Sequence, residues 1–300
     1  MTELAPIALF VYNRPELLLR VLNSLKQNPE VEKSKLYIFS DGSKNKDDIN
    51  KVNAVRKIIA NISWSKELEI IKSEKNQGLA KSIISGVTAL LKKHDSVIVL
   101  EDDLLVSKGF LKYMNEALRI YKNSNDVICV SGYIFALDKK LPETFFINGA
   151  DCLGWATWKR GWDLLETDPK KILNLLMTGN LSDKFDYKGK YPYTNMLQDQ
   201  LSGKKYSWAI LWHATAFIKN KLTLYPGLSL VSHIGINGTN YSSDPFLDKN
   251  NVTDEIKINP IPVKESEIAR DAIVEFFAER KKYFNKKNVS VLQKIKSHFK

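Results

Sequence analysis

The segment SVIVLEDDLL, residues 96–105, sets three adjacent carboxylates, Glu101, Asp102 and Asp103, directly behind a run of apolar residues. Neighbouring carboxylates repel, and burying one unpaired ion costs several kcal/mol, so such a cluster calls for a cation. Oxygen donors at a strand end suit Mg2+ or Mn2+, which keep waters and bridge to substrate phosphates rather than sit in an all-protein cage. A solvated acidic turn is the plainer alternative; the apolar run before the triplet and the helical pattern after it argue against it. Two further residues offer complementary chemistry. Asp41, in FSDGS, can accept a hydrogen bond from a base imide, although Asp-Gly is also an ordinary turn. Arg14, in YNRP, carries a planar fork that pairs with phosphate or with a surface carboxylate.

These residues need a frame that holds them together. PIALFVY (6–12) is a short apolar run ending at the breaker NRP, and Leu17, Leu18, Val21, Leu22 and Leu25 then recur at helical spacing. KLYIFSDGS (35–43), a polar helix near 47–61, LEIIKS (68–73), a helix face through Leu79, Ile83, Val87, Leu90 and Leu91, and SVIVLEDD continue the alternation. A helix from Phe110 to Tyr121 and a strand in DVICVSGY (126–133) follow. The alternation predicts an α/β fold, a mostly parallel sheet flanked by helices on both faces. Ligands of such sheets sit beyond the carboxyl ends of the strands, which places Arg14, Asp41 and the acidic triplet on one rim.

After about residue 134 the pattern loosens, and aromatic residues crowd into GWATWKRGWDLL (154–165) and YSWAILWHATAF (206–217). Core packing accounts for most of these tryptophans, with Trp155 set apart as a sugar-stacking candidate because it follows Gly154. The expected organisation is one domain over residues 1–260, with a donor-binding half (about 1–134) and a less regular acceptor-side half (about 135–260). A helical, basic tail over 261–300 completes it. The two cysteines, Cys129 and Cys152, lack metal or redox spacing and read as free thiols.

The net charge of +11 does not indicate nucleic-acid binding, because residues 280–300 hold eight Lys/Arg and no Asp/Glu, leaving 37 cations against 34 anions elsewhere. Val291 or Leu292, Ile295 and Phe299 fall on one side of that tail among its lysines, as in a basic amphipathic helix at a membrane surface; a solvated terminus fits as well. The opening MTELAPIALFVYNRP has too short an apolar run for a signal peptide, and no stretch approaches the roughly 18 apolar residues of a span. The expectation is a cytoplasmic protein.

ALFVYNRP, SDGS, NQGLAKSIISGV, VIVLEDDLLVSKGFLKYMNEAL and GWATWKRGWD, in that order, resemble the GT-A (Rossmann-like) glycosyltransferases over roughly residues 5–240. The likeness is to bacterial family 2-type sugar transferases related to N-acetylglucosaminyltransferase I. The resemblance implies a nucleotide-sugar donor, UDP-linked by the Asp41 match, a divalent Mn2+ or Mg2+, and inversion at the anomeric carbon. It implies that Asp103 holds the metal, that Glu101 and Asp102 lie against ribose and sugar, and that Arg14 approaches the nucleotide. Asp41 would then read uracil and Lys81 face the nucleotide. His233, in the glycine-rich SLVSHIGING, matches a segment that closes over the donor, where a histidine can touch diphosphate or metal. The relatives' Trp-Asp-Asp-Trp setting for the general base is missing here, and Asp199 in NMLQDQLSG takes its place in chain order, with Asp163 and Glu166 behind it. A glycan or polyprenyl-linked acceptor in surface-polysaccharide assembly follows from family habit. A nucleotidyltransferase would also place acids at a strand end but needs a glycine-rich phosphate loop, which YNRPELLLR lacks. A non-catalytic sugar binder would not need the acidic triplet.

Overall fold

The computed structural model describes residues 4–235, 246 and 252–298, with side chains to 286. The first half alternates β1 (Ile7–Val11), α1 (Pro15–Lys26), β2 (Leu36–Ser40), α2 (Lys46–Ala60), β3 (Leu68–Lys72), α3 (Leu79–Leu91) and β4 (Ser96–Glu101). A short β5 (Leu104–Val106), α4 (Phe110–Ile120) and β6 (Val127–Ser131) follow. Then come β7 (Thr144–Asn148), β8 (Trp155–Trp158), α5 (Lys159–Trp162), α6 (Pro169–Thr178), α7 (Ser182–Phe185), α8 (Tyr193–Leu201) and α9 (Trp208–Ile218). The chain closes with β9 (Leu222–Pro226), β10 (Val231–His233) and the long α10 (Glu267–His298).

Eight strands form one sheet in the order β3-β2-β1-β4-β8-β6-β9-β7. β1 to β4 pair in parallel, as do β6 and β9, whereas β8 runs antiparallel between β4 and β6, and β7 antiparallel to β9. The sheet is therefore mostly parallel, as the alternation predicted, and its irregularity is confined to strands from the second half.

Residues along the central strands alternate between two cores, as the pleat demands. Ile7, Leu9 and Val11 of β1 and Ile98 and Leu100 of β4 join α1, α2 and α4 on one face. Ala8, Phe10, Val97 and Val99 join α3 and α9 on the other. With both faces covered, the strands read as continuous apolar runs. Pro15 starts α1 at a position where its missing N–H costs nothing, and Leu18, Val21, Leu22 and Leu25 form its buried stripe. The start of α10, through Ala269, Ile273, Phe276 and Phe277, packs with Phe145 and Ile147 of β7. The tail side chains proposed for a membrane surface, from Val291 to Phe299, lie outside the described residues. Among the described residues no helix is long and apolar enough to cross a membrane.

Candidate functional site

The register brings Val11 level with Ser40 and Phe10 level with Glu101, so β1, β2 and β4 end along one rim. Each strand then releases a polar residue. From the β1 loop, Arg14 directs Nη1 to Asp103 Oδ2 at 2.5 Å and to Asp102 Oδ1 at 3.5 Å. The backbone N–H of Tyr12 donates to Asp102 Oδ2 (3.0 Å), so the first loop and the acidic turn are joined by three contacts.

His233 arrives by a different route. The sequence reads as a glycine-rich loop there, but Val231–His233 forms the short strand β10, paired antiparallel with β5 so that His233 stands opposite Leu104. Ile234 N–H donates to the Asp103 carbonyl (2.9 Å), and His233 Nε2 lies 3.4 Å from Asp103 Oδ2. A Cβ on Gly235 would fall 2.6 Å from that oxygen, so only glycine leaves the space beside the carboxylate open.

Burial first, and neighbouring charges second, shift the carboxyls of the triplet. Burial, reinforced by Asp103 and Asp102, raises the Glu101 carboxyl well above the usual range. Burial raises Asp102 to about 6, with Arg14 pulling against it. Burial also opposes ionisation of Asp103, but the hydrogen bond and charge of His233, together with Arg14, outweigh it and hold this carboxyl below its ordinary value. Asp103 is thus the member of the cluster whose ionised form the fold favours most, and a single oxygen of it faces both Arg14 and His233.

That oxygen fits a divalent ion only in part. Among the described residues no three His, Cys, Asp or Glu side chains are grouped as a metal cage. Asp103 and His233 can supply two donors to one cation, within the space Gly235 leaves, and the remaining positions would belong to phosphate and water, as Mg2+ and Mn2+ prefer.

Asp41 is placed as expected and used differently. Its Oδ1 accepts the N–H groups of Gly42 and Gln77 (both 2.8 Å), and its Oδ2 accepts Gly78 N–H (2.9 Å) and Asn76 Nδ2 (3.0 Å). A carboxylate has about four lone-pair sites, and all are filled by the chain itself. The uracil assignment does not survive this; Asp41 fixes the turn that launches α3 through Gly78, whose φ of 75° favours glycine. Lys81 sits exposed in the first turn of that helix.

Trp155 is the second correction. Its side chain is 0% exposed, enclosed by Trp162, Trp208 and Trp212 at ring-centroid distances of 5.6, 5.4 and 6.0 Å. β8 is an interior strand covered on both faces, so no face of this ring is open to a sugar. Cys129 and Cys152 are free thiols, as read from their spacing. Asp199 on α8 pairs with Lys204 (3.6 Å), Asp163 with Lys159 (2.5 Å) and Glu166 with Lys171; none of these pairs includes a rim residue.

Three contributors escaped sequence reasoning. Asp48 accepts from Tyr12 Oη (2.8 Å) and Asn13 Nδ2 (2.7 Å), clipping the first loop to α2. Asn76 braces Asp41, and its only signal was the Asn-Gln-Gly turn before an apolar helix. Asp151, ahead of β8, accepts Cys152 and Leu153 N–H and Ser131 Oγ (3.1 Å), and burial raises its carboxyl. β4 and β8 pair up to Val99 and Trp155, so the residues after Val99 and those before Trp155 leave the sheet side by side.

Open α/β sheets bind their ligands beyond the carboxyl ends of the strands, which is where the acidic turn, Arg14 and His233 meet. The chain matches the family described as Glycosyl transferase family 2 over residues 7–162, and it belongs to that family: it is a glycosyltransferase. Its fold is consistent with the GT-A type. A mannosyltransferase from Pyrobaculum calidifontis in complex with GDP-Man and Mn2+ is similar at 13% identity over 72% of this chain and 70% of that one, TM-score 0.40. Residues 1–349 of TarS from S. aureus align at 13% identity over 94% of this chain and 73% of that one, TM-score 0.40. UDP-glucose pyrophosphorylase complexed with UDP-glucose aligns at 12% identity, over 95% and 100%, TM-score 0.39. These are loose likenesses that span transferase and pyrophosphorylase chemistry alike. No curated protein sequence matches the chain.

Proposed function

We propose that the protein transfers a sugar from a nucleoside-diphosphate sugar to an acceptor hydroxyl, with inversion, and that the Arg14–Asp103–His233 constellation is the diphosphate end of its donor site. The observation that supports this most is the convergence of Arg14 and His233 on one carboxylate oxygen of Asp103, the three residues coming from segments far apart in sequence, at the strand-end rim of a family 2 chain. A divalent ion held by Asp103 and His233 would stabilise the negative charge of the departing diphosphate. Arg14 would bind a phosphate oxygen through its fork, and Asp102, anchored by Tyr12 N–H, would orient the donor side of the acidic turn. Asp41 holds the 76–78 turn and so shapes the nucleotide end without touching the base.

Inverting displacement also needs a group that removes the acceptor proton. Asp199 is the proposed base on chain order alone, and its side chain is accessible, 43% exposed. A glycan or polyprenyl-linked acceptor is the companion proposal, supported by the basic stretch 280–300. The donor reading is tested by titrating UDP, GDP and CDP into the protein with and without Mn2+. Metal-dependent binding of at least one nucleotide is expected, and the absence of binding for all three would refute it.

A further inference from the structure

We propose that Arg14 is a resident counter-cation of Asp103 that competes with the divalent ion, so that metal binds tightly only when the donor's diphosphate draws the guanidinium away. The inference rests on the donor-site reading above, in which Asp103 and His233 face the metal. Asp103 Oδ2 already carries Arg14 Nη1 at 2.5 Å and His233 Nε2 at 3.4 Å. A metal ion on the same oxygen would set its charge within a few ångströms of a guanidinium, where like charges repel strongly at the effective dielectric of a protein surface. One cation must leave.

The geometry says which one is built to move and how far. The backbone around Arg14 is fixed. Leu18 N–H donates to the Arg14 carbonyl (3.0 Å), Pro15 locks the next residue at the start of α1, and Tyr12 and Asn13 are clipped to Asp48. The side chain, in contrast, is 28% exposed. Only the guanidinium needs to swing, and a diphosphate offers it a bidentate oxyanion in exchange for a carboxylate. Arg14 then exchanges Asp103 for phosphate as Asp103 exchanges Arg14 for metal. Binding of metal and of nucleoside diphosphate becomes reciprocal, each raising the other's affinity by the same factor. The arginine also spares the donor-free protein an uncompensated, partly buried Asp103 charge.

Mn2+ binding to the full chain, followed by electron paramagnetic resonance at fixed ionic strength with and without UDP or GDP, tests this in wild type, Arg14→Gln, Arg14→Lys and Asp103→Asn, with melting curves to confirm folding. Wild type should bind Mn2+ weakly alone and about tenfold or more tightly with a nucleoside diphosphate. Arg14→Gln should bind Mn2+ alone about tenfold more tightly than wild type and gain less from the nucleotide, whereas Arg14→Lys should stay near wild type. Equal Mn2+ affinity for Arg14→Gln and wild type, with Asp103→Asn still abolishing binding, overturns the competition and leaves the metal site standing. Mn2+ binding that Asp103→Asn does not change overturns both.

Discussion

Up to Glu101 the chain places its polar residues by ending strands, whereas beyond Gly132 it places them by contacts between segments distant in sequence. Arg14, Asp41 and Asp103 reach the rim because β1, β2 and β4 stop together, and parallel neighbours in register must put their succeeding residues side by side. His233 reaches Asp103 only because β10 pairs with β5, over a hundred residues earlier in the chain. Local patterning controls the first arrangement; the second depends on a pairing that no short window contains. The proposed chemistry crosses this division at one residue: Arg14 and Asp103 of the donor site come from the first half, whereas His233 and the proposed base Asp199 come from the second.

The sharpest way to break this division is at Asp199. If it is the base, Asp199→Asn slows transfer about 10² to 10⁴-fold while nucleotide binding is unchanged. A near wild-type rate moves the base elsewhere, with Asp163→Asn and Glu166→Gln as the parallel measurements. Next in size is Trp155, where removing a fully buried indole from the tryptophan cluster should destabilise by about 3 to 5 kcal/mol. Denaturant unfolding would show that loss, with Trp155→Phe milder and donor affinity intact in the folded variant. Weakened sugar binding at full stability would restore the stacking role.

Asp41→Ala leaves the Gly42, Gln77 and Gly78 N–H groups without their acceptor, while Asn76 keeps the Gly42 carbonyl, and each unsatisfied buried donor costs about 1 to 3 kcal/mol before water or rearrangement replaces the bond. As a positioning residue it should lower melting temperature and weaken UDP, GDP and CDP together. Selective loss of UDP alone would return it to the base. The smallest effect concerns pH. His213 on α9 is buried, with Nδ1 2.8 Å from the Ala150 carbonyl oxygen, and burial depresses it from 6.5 to about 4. The unfolded chain therefore takes up the proton first, and stability that is present above pH 6.5 drains as pH falls toward 4. Between pH 6.5 and 5.5 this group alone removes about 1 kcal/mol. His213→Gln should lack that increment in urea unfolding across the same interval, and an identical pH slope in both proteins would contradict the assignment.

The range of each interaction decided how legible it was in the sequence. Short apolar runs made five of the six co-directional strands readable, the edge strand β3 among them although its residues are not buried, and Glu101-Asp102-Asp103 stood out because crowded carboxylates have few structural uses. Asp41 was found for its place, yet its role was misjudged, because three of the four donors that saturate it lie 35 to 37 positions away. Trp155 was misjudged for a related reason: its strand β8 inserts between β4 and β6, and an inserted strand is interior. Asp48 was invisible because an aspartate in a helix's first turn needs no other explanation.

The central claim is that Asp103 anchors the diphosphate end of a sugar-donor site. The direct measurement is release of nucleoside diphosphate from a panel of UDP-, GDP- and CMP-linked sugars with Mn2+, the CMP compounds reporting CMP, for wild type and Asp103→Asn. Wild type should release nucleotide from at least one donor above background, and Asp103→Asn should be slower by about 10²-fold or more, with melting curves showing that the variant still folds. Release that Asp103→Asn leaves unchanged, or no release from any donor by wild type, would contradict the account.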